Sequence, residues 1–286
     1  MMNQPSGHGP CRFARLLPAL FLGLLLLLPA LAGAELKVYF LDVGQGDAVL
    51  VCCDGETLLV DAGPAEAGAA VNRFLRDTLG MDGVGCVIAT HAHDDHLAGM
   101  AEALRGLTAG HIYSSRAVSS SYWFGTVLPV LRQDSLEVSF PGFQDSFSLG
   151  GAAVTFINPL SAAGNANDLS LAVRIEYGEN TVLLTADIEA EAEAAILESG
   201  VPLRSTLLKV AHHGGDTSST EAFIRAAAPE IAVISVGAGN AHGHPHPDPL
   251  RILDKYNVKV YRTDLFGTVV CTGDGTSWTT EVSKAR

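Results

Sequence analysis

Positive charge is scarce in this chain. Its 286 residues include 18 Lys and Arg against 31 Asp and Glu, a formal net charge of −13, and only 17% of residues are charged. The absence of any basic cluster excludes a protein that holds long nucleic acid by releasing its counterions. A nucleic-acid substrate would be gripped locally, with metal ions supplying the positive charge. Cysteine is also sparse. Beyond Cys11 there are Cys52, Cys53, Cys86 and Cys271, in no spacing that builds a zinc knuckle. Neighbouring side chains of a strand face opposite sides, so Cys52 and Cys53 should not share a partner, and most of the set are expected to be small buried apolar residues.

No low-complexity linker breaks residues 35–286, and 48% hydrophobic content is enough for a sizeable core, so a single domain is expected there. Ahead of it, Arg12 and Arg15 precede an apolar run at 16–28, and Ala32-Gly33-Ala34 offers the small residues a signal peptidase accepts. Residues 1–34 are therefore expected to be a secretory signal cleaved after Ala34, which exports the domain and leaves no stable membrane span. The alternative is a membrane anchor formed by 16–28. No cysteine follows the small residues, which argues against lipid attachment. Cleavage removes two arginines and no acids, taking the charge from −13 to −15.

Apolar, β-prone runs at 36–43, 48–53 and 57–60 predict a strand meander, with turns at Gly44-Gln45-Gly46-Asp47 and Asp54-Gly55-Glu56. Gly44 and Gly46 read as turn residues, because no helix follows them to make a phosphate cradle. The pattern then predicts a helix over 65–79, a strand over 84–89, a helix over 97–107, a helix over 122–131 interrupted near Pro129, and short strands across 137–159. A hairpin of 169–177 and 181–185 leads to helices at 189–199 and 220–228 and strands at 206–211 and 231–236. Segments 248–256 and 258–262 and a β-rich tail complete the chain. Strands followed by helices in both halves predict an α/β (α+β) arrangement of two packed sheets with helices outside.

Eight of the ten histidines fall in three groups, each just after an apolar strand; His8 lies in the signal region and His111 stands alone. In His91-Ala-His93-Asp94-Asp95-His96, two imidazoles one residue apart can point the same way, while Asp95 and His96 reach a second point a tight turn away. Imidazole and carboxylate suit borderline divalent ions such as zinc or manganese, and two adjacent ions fit this spacing. Asp187 ends the strand 181–185, where a carboxylate is either an ordinary turn residue or a ligand. Asp47 and Asp61 are expected to fix loops by accepting backbone N–H groups, and Ser218 or Ser219 to cap the next helix. In His242-Gly-His244-Pro-His246-Pro the prolines stiffen the loop, and His242 and His246 are expected to bind metal only adventitiously.

The pattern His-x-His-x-Asp-His after a strand resembles the signature of the metallo-β-lactamase superfamily, which implies a four-layer αββα sandwich. Six segments narrow the likeness: Leu41-Asp42-Val43-Gly44-Gln45-Gly46-Asp47-Ala48, Val60-Asp61-Ala62-Gly63, Leu184-Thr185-Ala186-Asp187, Lys209-Val210-Ala211-His212-His213-Gly214, Gly243-His244-Pro245 and Tyr261-Arg262-Thr263-Asp264. In this order they resemble the hydrolase domain of ComEC-type competence proteins, over residues 35–270, in a stand-alone exported form. The resemblance implies two divalent ions, zinc or manganese: His91 and His93 would hold one, Asp95 and His96 the other, and Asp187 would bridge them. One further ligand would come from His212 or His213, with His213 favoured. Asp95, His212 and His244 would be catalytic, the two histidines as phosphate contacts or proton donors. Other branches of the superfamily place a metal-binding histidine before the strand at 171–177; here that stretch reads Asn167-Asp168-Leu169-Ser170, so the first ion should be loosely held.

The implied function is an exported binuclear hydrolase in which a metal-bound hydroxide attacks a phosphodiester in line. The substrate would be a nucleic acid, single-stranded DNA included, or a smaller phosphodiester. Two alternatives stand beside it: a metallo-hydrolase of an acyl bond (lactam, lactone or thioester), which the missing histidine disfavours, and a non-catalytic accessory module for DNA uptake.

Overall fold

The computed structural model describes residues 35–133, 136–160 and 165–284, so the expected signal or anchor segment lies outside the described residues. No helix among the described residues is long and apolar enough to cross a membrane.

Among the described residues, fifteen strands form two sheets. The chain first lays down β1 (Leu36–Phe40), β2 (Val49–Cys53), β3 (Glu56–Val60), β4 (Gly83–Ala89), β5 (Thr108–Ser114) and β6 (Glu137–Ser139). It then builds the second sheet from β7 (Ser146–Leu149), β8 (Ala152–Phe156), β9 (Val173–Tyr177), β10 (Asn180–Leu184), β11 (Leu207–Lys209), β12 (Ile231–Ile234) and β13 (Lys259–Arg262). Finally β14 (Val269–Gly273) and β15 (Trp278–Val282) return to the first sheet, whose order is β15-β14-β1-β2-β3-β4-β5-β6. The second runs β13-β12-β11-β10-β9-β8-β7.

The period of two along a strand sorts side chains between layers. Val49, Val51 and Cys53 of β2, with Val182 and Leu184 of β10, enter the core between the sheets. Leu50 faces the outer helices of the first half, and Leu183 the outer helices of the second, Ala190–Ser199, Glu221–Ala227 and Pro247–Lys255. Three cores separating four layers make the expected αββα sandwich. Cys52 and Cys53 take opposite faces as expected, and all four described cysteines are free and at least half-buried.

Strands β3 to β6 run parallel, as do β10 to β13, so their C-terminal ends collect at common edges. That is where loops can carry polar groups without breaking a ladder. Several elements differ from the sequence reading at this edge. The helix expected over 97–107 is two short pieces, Asp94–Leu97 and Met100–Ala103, broken at Gly99. A Cβ there would collide with the Ala62 carbonyl, and the Gly99 N–H bonds Gly63 O at 2.9 Å. Residues 206–211 supply only three strand residues before the chain turns, and the segment expected to start a strand at 169 first makes the 3-10 turn Asn167–Leu169. Thr220, not Ser218 or Ser219, caps the next helix, its side chain accepting from Phe223 N.

Candidate metal centre

Six of the sequence-selected residues converge at this edge. His91 and His93 follow β4, Asp95 and His96 lie in the short helix behind them, Asp187 lies just beyond β10, and His213 follows β11. His91, His96, Asp187 and His213 are all 2% exposed or less, a burial that polar side chains accept only with partners. Ligand atoms of Asp95, His96, Asp187 and His213 lie within 4.8 Å of one another. His91 Nε2 stands 3.1 Å from His93 Nδ1 and 4.0 Å from Asp187 Oδ2, so Asp187 sits between the two groups.

The outward-facing nitrogens of three imidazoles are already committed. His213 Nδ1 faces the Ser235 carbonyl at 2.9 Å, and a carbonyl only accepts, so Nδ1 carries the proton. His96 Nδ1 donates to Asp61 Oδ2 at 2.7 Å. Thr90 Oγ1 spends its single proton on Asp61 Oδ2 at 2.6 Å, so His91 Nδ1, 3.1 Å away, must donate to it. Each ring therefore turns Nε2 inward, the way a metal-bound histidine is held from behind. His96 Nε2, His213 Nε2 and Asp187 Oδ1 are buried without a hydrogen bond, although Asp187 Oδ2 lies 3.2 Å from the first and 3.5 Å from the second. Inward-facing atoms without hydrogen bonds in this donor set fit a divalent cation.

Electrostatics agree. Burial, reinforced by the charge of His96, pushes the His91 imidazole down to about 2, so it is neutral. Burial would lower His96 and His213 as well, but Asp187, with Asp61 for one and Asp47 for the other, outweighs it: His96 rises well above its usual value and His213 rises to about 9. The same two imidazolium charges hold Asp187 well below the carboxylate range against its burial. Without metal, the centre collects protons.

The adjacent histidines 212 and 213 both adopt left-handed backbone, φ 48° and 53°, a conformation that costs about 1–2 kcal/mol per residue. The kink sends them different ways. His213 enters the metal cluster, whereas His212 stays half-exposed, its Nδ1 3.1 Å from Thr217 Oγ1 and 3.2 Å from Glu189 Oε1 and its Nε2 4.0 Å from Asp187 Oδ2. His244 lies across from it, ring centroids 5.4 Å apart, and burial with the neighbouring histidine charges lowers it to about 4. These side chains, with Gln45, His93, Asn167 and His242, line an open cavity of about 450 Å³. His246 serves the backbone instead, its Nδ1 accepting from Asp216 N–H at 3.0 Å. His111 is on β5, 3.6 Å from Glu137 and away from this group.

Asp61 does fix a loop, accepting Thr90 N–H at 2.9 Å, but Asp47 departs from expectation. Its carboxylate pairs with the ammonium of Lys209, which is 1% exposed, and its backbone carries the loop contacts, donating to Asp95 O and accepting from Gly63 N. The neighbouring Gly46 is required by contact, since a Cβ there would strike the Asp95 carbonyl. Lys209 also donates to Ala186 O at 3.0 Å and lies 3.7 Å from Asp187 Oδ1. The sequence reading assigned it no role. The signal was a lysine inside the apolar run Leu207-Leu208-Lys209-Val210, where a buried ammonium demands a carboxylate. Glu189, which joins Asn165, Asn167, Thr217 and His212, was missed too.

A four-layer sandwich with a histidine and aspartate cluster at its strand ends defines the metallo-hydrolase class of αββα folds. The chain belongs to the metallo-beta-lactamase superfamily, whose model matches residues 41–238, and whose members are mostly metal-dependent hydrolases. It is 26% identical to ComE operon protein 3 of Bacillus subtilis (strain 168) over 264 residues, 86% of this chain and 34% of that protein. It is 27% identical to competence protein ComA of Neisseria gonorrhoeae over 237 residues, 82% of this chain and 32% of that protein. The chain thus spans about a third of the length of these ComEC-type relatives. Among solved structures, the metallo-beta-lactamase fold protein YhfI from Bacillus subtilis superposes with a TM-score of 0.54 at 18% identity, covering 84% of this chain and all of that one.

Proposed function

We infer that the protein is an exported metal-dependent phosphodiesterase. The observation that carries this reading is the set of inward-facing Nε2 and carboxylate atoms beside a cavity whose lining includes five histidines and no lysine or arginine. Asp95, His96 and His213 would hold one divalent ion, zinc or manganese, His91 and His93 the other, and Asp187 would touch both. The bound ions would acidify a water and neutralise phosphate oxygens.

The rest is done by side chains. Glu189 and Thr217 hold His212 at Nδ1, so its Nε2 faces the cavity with a free electron pair and can take a proton there and return it to the leaving alkoxide. His244, kept neutral, offers a hydrogen-bonding ring to a phosphate oxygen. A phosphodiester suits a centre whose first ion has few protein ligands, because phosphate oxygens complete the shell. Among phosphodiesters, a nucleic-acid strand is favoured by Arg116 and Phe140. Both are exposed, with the guanidinium 5.4 Å from the ring centroid, just past β5 and β6 on the edge that carries His91. An aromatic face beside a cation accepts stacked bases.

The test is a metal-dependent screen of the purified protein against bis(p-nitrophenyl) phosphate, single-stranded DNA, nitrocefin and a thioester. Metal-dependent cleavage of the first two, abolished in His93→Ala and reduced only for DNA in Phe140→Ala, is expected. Turnover of nitrocefin or thioester alone would replace this reading with acyl hydrolysis. Tight DNA binding without turnover under any divalent ion would replace it with the accessory module.

A further inference from the structure

The cavity wall holds a buried amide that the machinery above leaves unused. Asn167, 8% exposed, donates through Nδ2 to Glu189 Oε1 at 3.0 Å. A carboxylate can only accept, so the amide cannot be flipped, and its Oδ1 is fixed on the opposite side, buried and without a hydrogen bond. The turn that carries it is anchored beside the first histidine: Leu171 N–H bonds Thr90 O at 3.0 Å, and Ser115 Oγ bonds Leu169 O at 3.2 Å. Glu189 is itself immobilised by Asn165 Nδ2 at 2.7 Å and Thr217 Oγ1 at 3.1 Å.

We propose that the Asn167 amide oxygen is a donor to the ion held by His91 and His93, and that it makes this position select a hard ion of the manganese class. The inference rests on the metal centre assigned above. A carboxamide oxygen is a weaker and harder ligand than imidazole, so replacing nitrogen by oxygen lowers affinity for zinc more than for manganese. Glu189 acts as the positioning residue, because its carboxylate takes the Nδ2 end of the amide and leaves the buried Oδ1 as the end available to an ion.

The experiment is calorimetric titration of the metal-free full chain with Mn²⁺ and separately with Zn²⁺, with the melting curve of each metal-free variant recorded alongside. The parent is expected to take two Mn²⁺, one tight and one weaker. Asn167→Ala should weaken only the second, by about 10- to 100-fold, the range seen when groups around a metal are removed. Asn167→His should tighten Zn²⁺ at that position. If Asn167→Ala melts without cooperativity, Glu189→Gln, which leaves Asn167 in place but lets its amide turn, should weaken the same ion. A single Mn²⁺ site in the parent, or unchanged binding of both ions in a folded Asn167→Ala or in Glu189→Gln, overturns the proposal. Two ions bound without phosphodiester turnover overturns the function proposed above and leaves this inference standing.

Discussion

Asp61 does not line the cavity that His93 and His213 share, yet replacing it with asparagine should cripple metal binding. Its carboxylate, 1% exposed, accepts three hydrogen bonds: Thr90 N–H on Oδ1 at 2.9 Å, and Thr90 Oγ1–H at 2.6 Å and His96 Nδ1–H at 2.7 Å on Oδ2. Asparagine has the same shape and one acceptor atom fewer. If its amide nitrogen occupies the Oδ2 position, the NH₂ faces His96 Nδ1, which must give up its proton. The neutral ring then carries hydrogen on Nε2, the atom aimed at Asp187 and the centre. If the nitrogen takes the Oδ1 position instead, it meets the Thr90 N–H donor to donor. Either arrangement forfeits one buried hydrogen bond to a charged group, worth about 1.5–3 kcal/mol, or roughly 10- to 150-fold in a binding constant. Competition between the full chain and a fluorescent chelator reads the affinity directly, and a circular-dichroism melt shows that the variant folds. Asp61→Asn with the parent's affinity for Mn²⁺ and Zn²⁺ would refute the view that His96 is held from behind as a ligand.

Two further outcomes follow from buried charges. Glu193 is 0% exposed, and burial raises its carboxyl to about 7 despite N–H bonds from Ser219 and Thr220. A folded pKa above the unfolded value gives stability that is present below about pH 4.5 and lost as pH rises through about 7, a loss of about 3 kcal/mol. Denaturation of parent and Glu193→Gln with chelator present should show that slope in the parent only, and parallel pH curves would contradict it. Lys209→Met strands the Asp47 carboxylate beside Asp187, and breaking a buried pair in this way costs about 3–5 kcal/mol. Urea unfolding of the metal-free protein should show that loss, and metal should recover part of it. A Met variant as stable as the parent would contradict this reading of the buried pair.

Local pattern made the strands and the first histidine and aspartate cluster legible. Val49 to Cys53 alternates between two cores and reads as a half-buried strand from sequence alone, and His91 to His96 is a contiguous metal-site pattern. The broken helix after His96 was not legible, because its cause is the approach of Gly99 to a loop that is 36 residues away in the chain. The helix cap was misplaced by one or two residues for a similar reason: Glu193 on the preceding helix takes the N–H groups of both Ser219 and Thr220 and so fixes where the helix begins, which puts the Thr220 side chain, not a serine, on Phe223 N–H. Asp47 was read as a loop fixer because nothing near it in sequence announces Lys209, 162 residues on, whose burial becomes visible only once β11 is inside the sheet. His213 was favoured over His212 by the family resemblance alone, since the left-handed kink that separates them is a property of the folded turn.

The charge balance of the centre connects these pieces. Asp47, Asp61, Asp95 and Asp187 contribute −4 and Lys209 +1, so with neutral histidines the cluster stands at −3. Such an excess is untenable away from water, and the metal-free chain answers it by raising His96 and His213 so that each takes a proton. Those protons sit on the Nε2 atoms that would bind the second ion, so metal entry and proton release are one exchange, and affinity must rise with pH until His213 is deprotonated near 9. Two divalent ions in place of two protons turn a net −1 into +1, the sign needed to receive a phosphate and a hydroxide. In the function proposed above, a chain this poor in lysine and arginine would have its anion-binding charge only when loaded, and metal supply, rather than surface electrostatics, would control substrate capture.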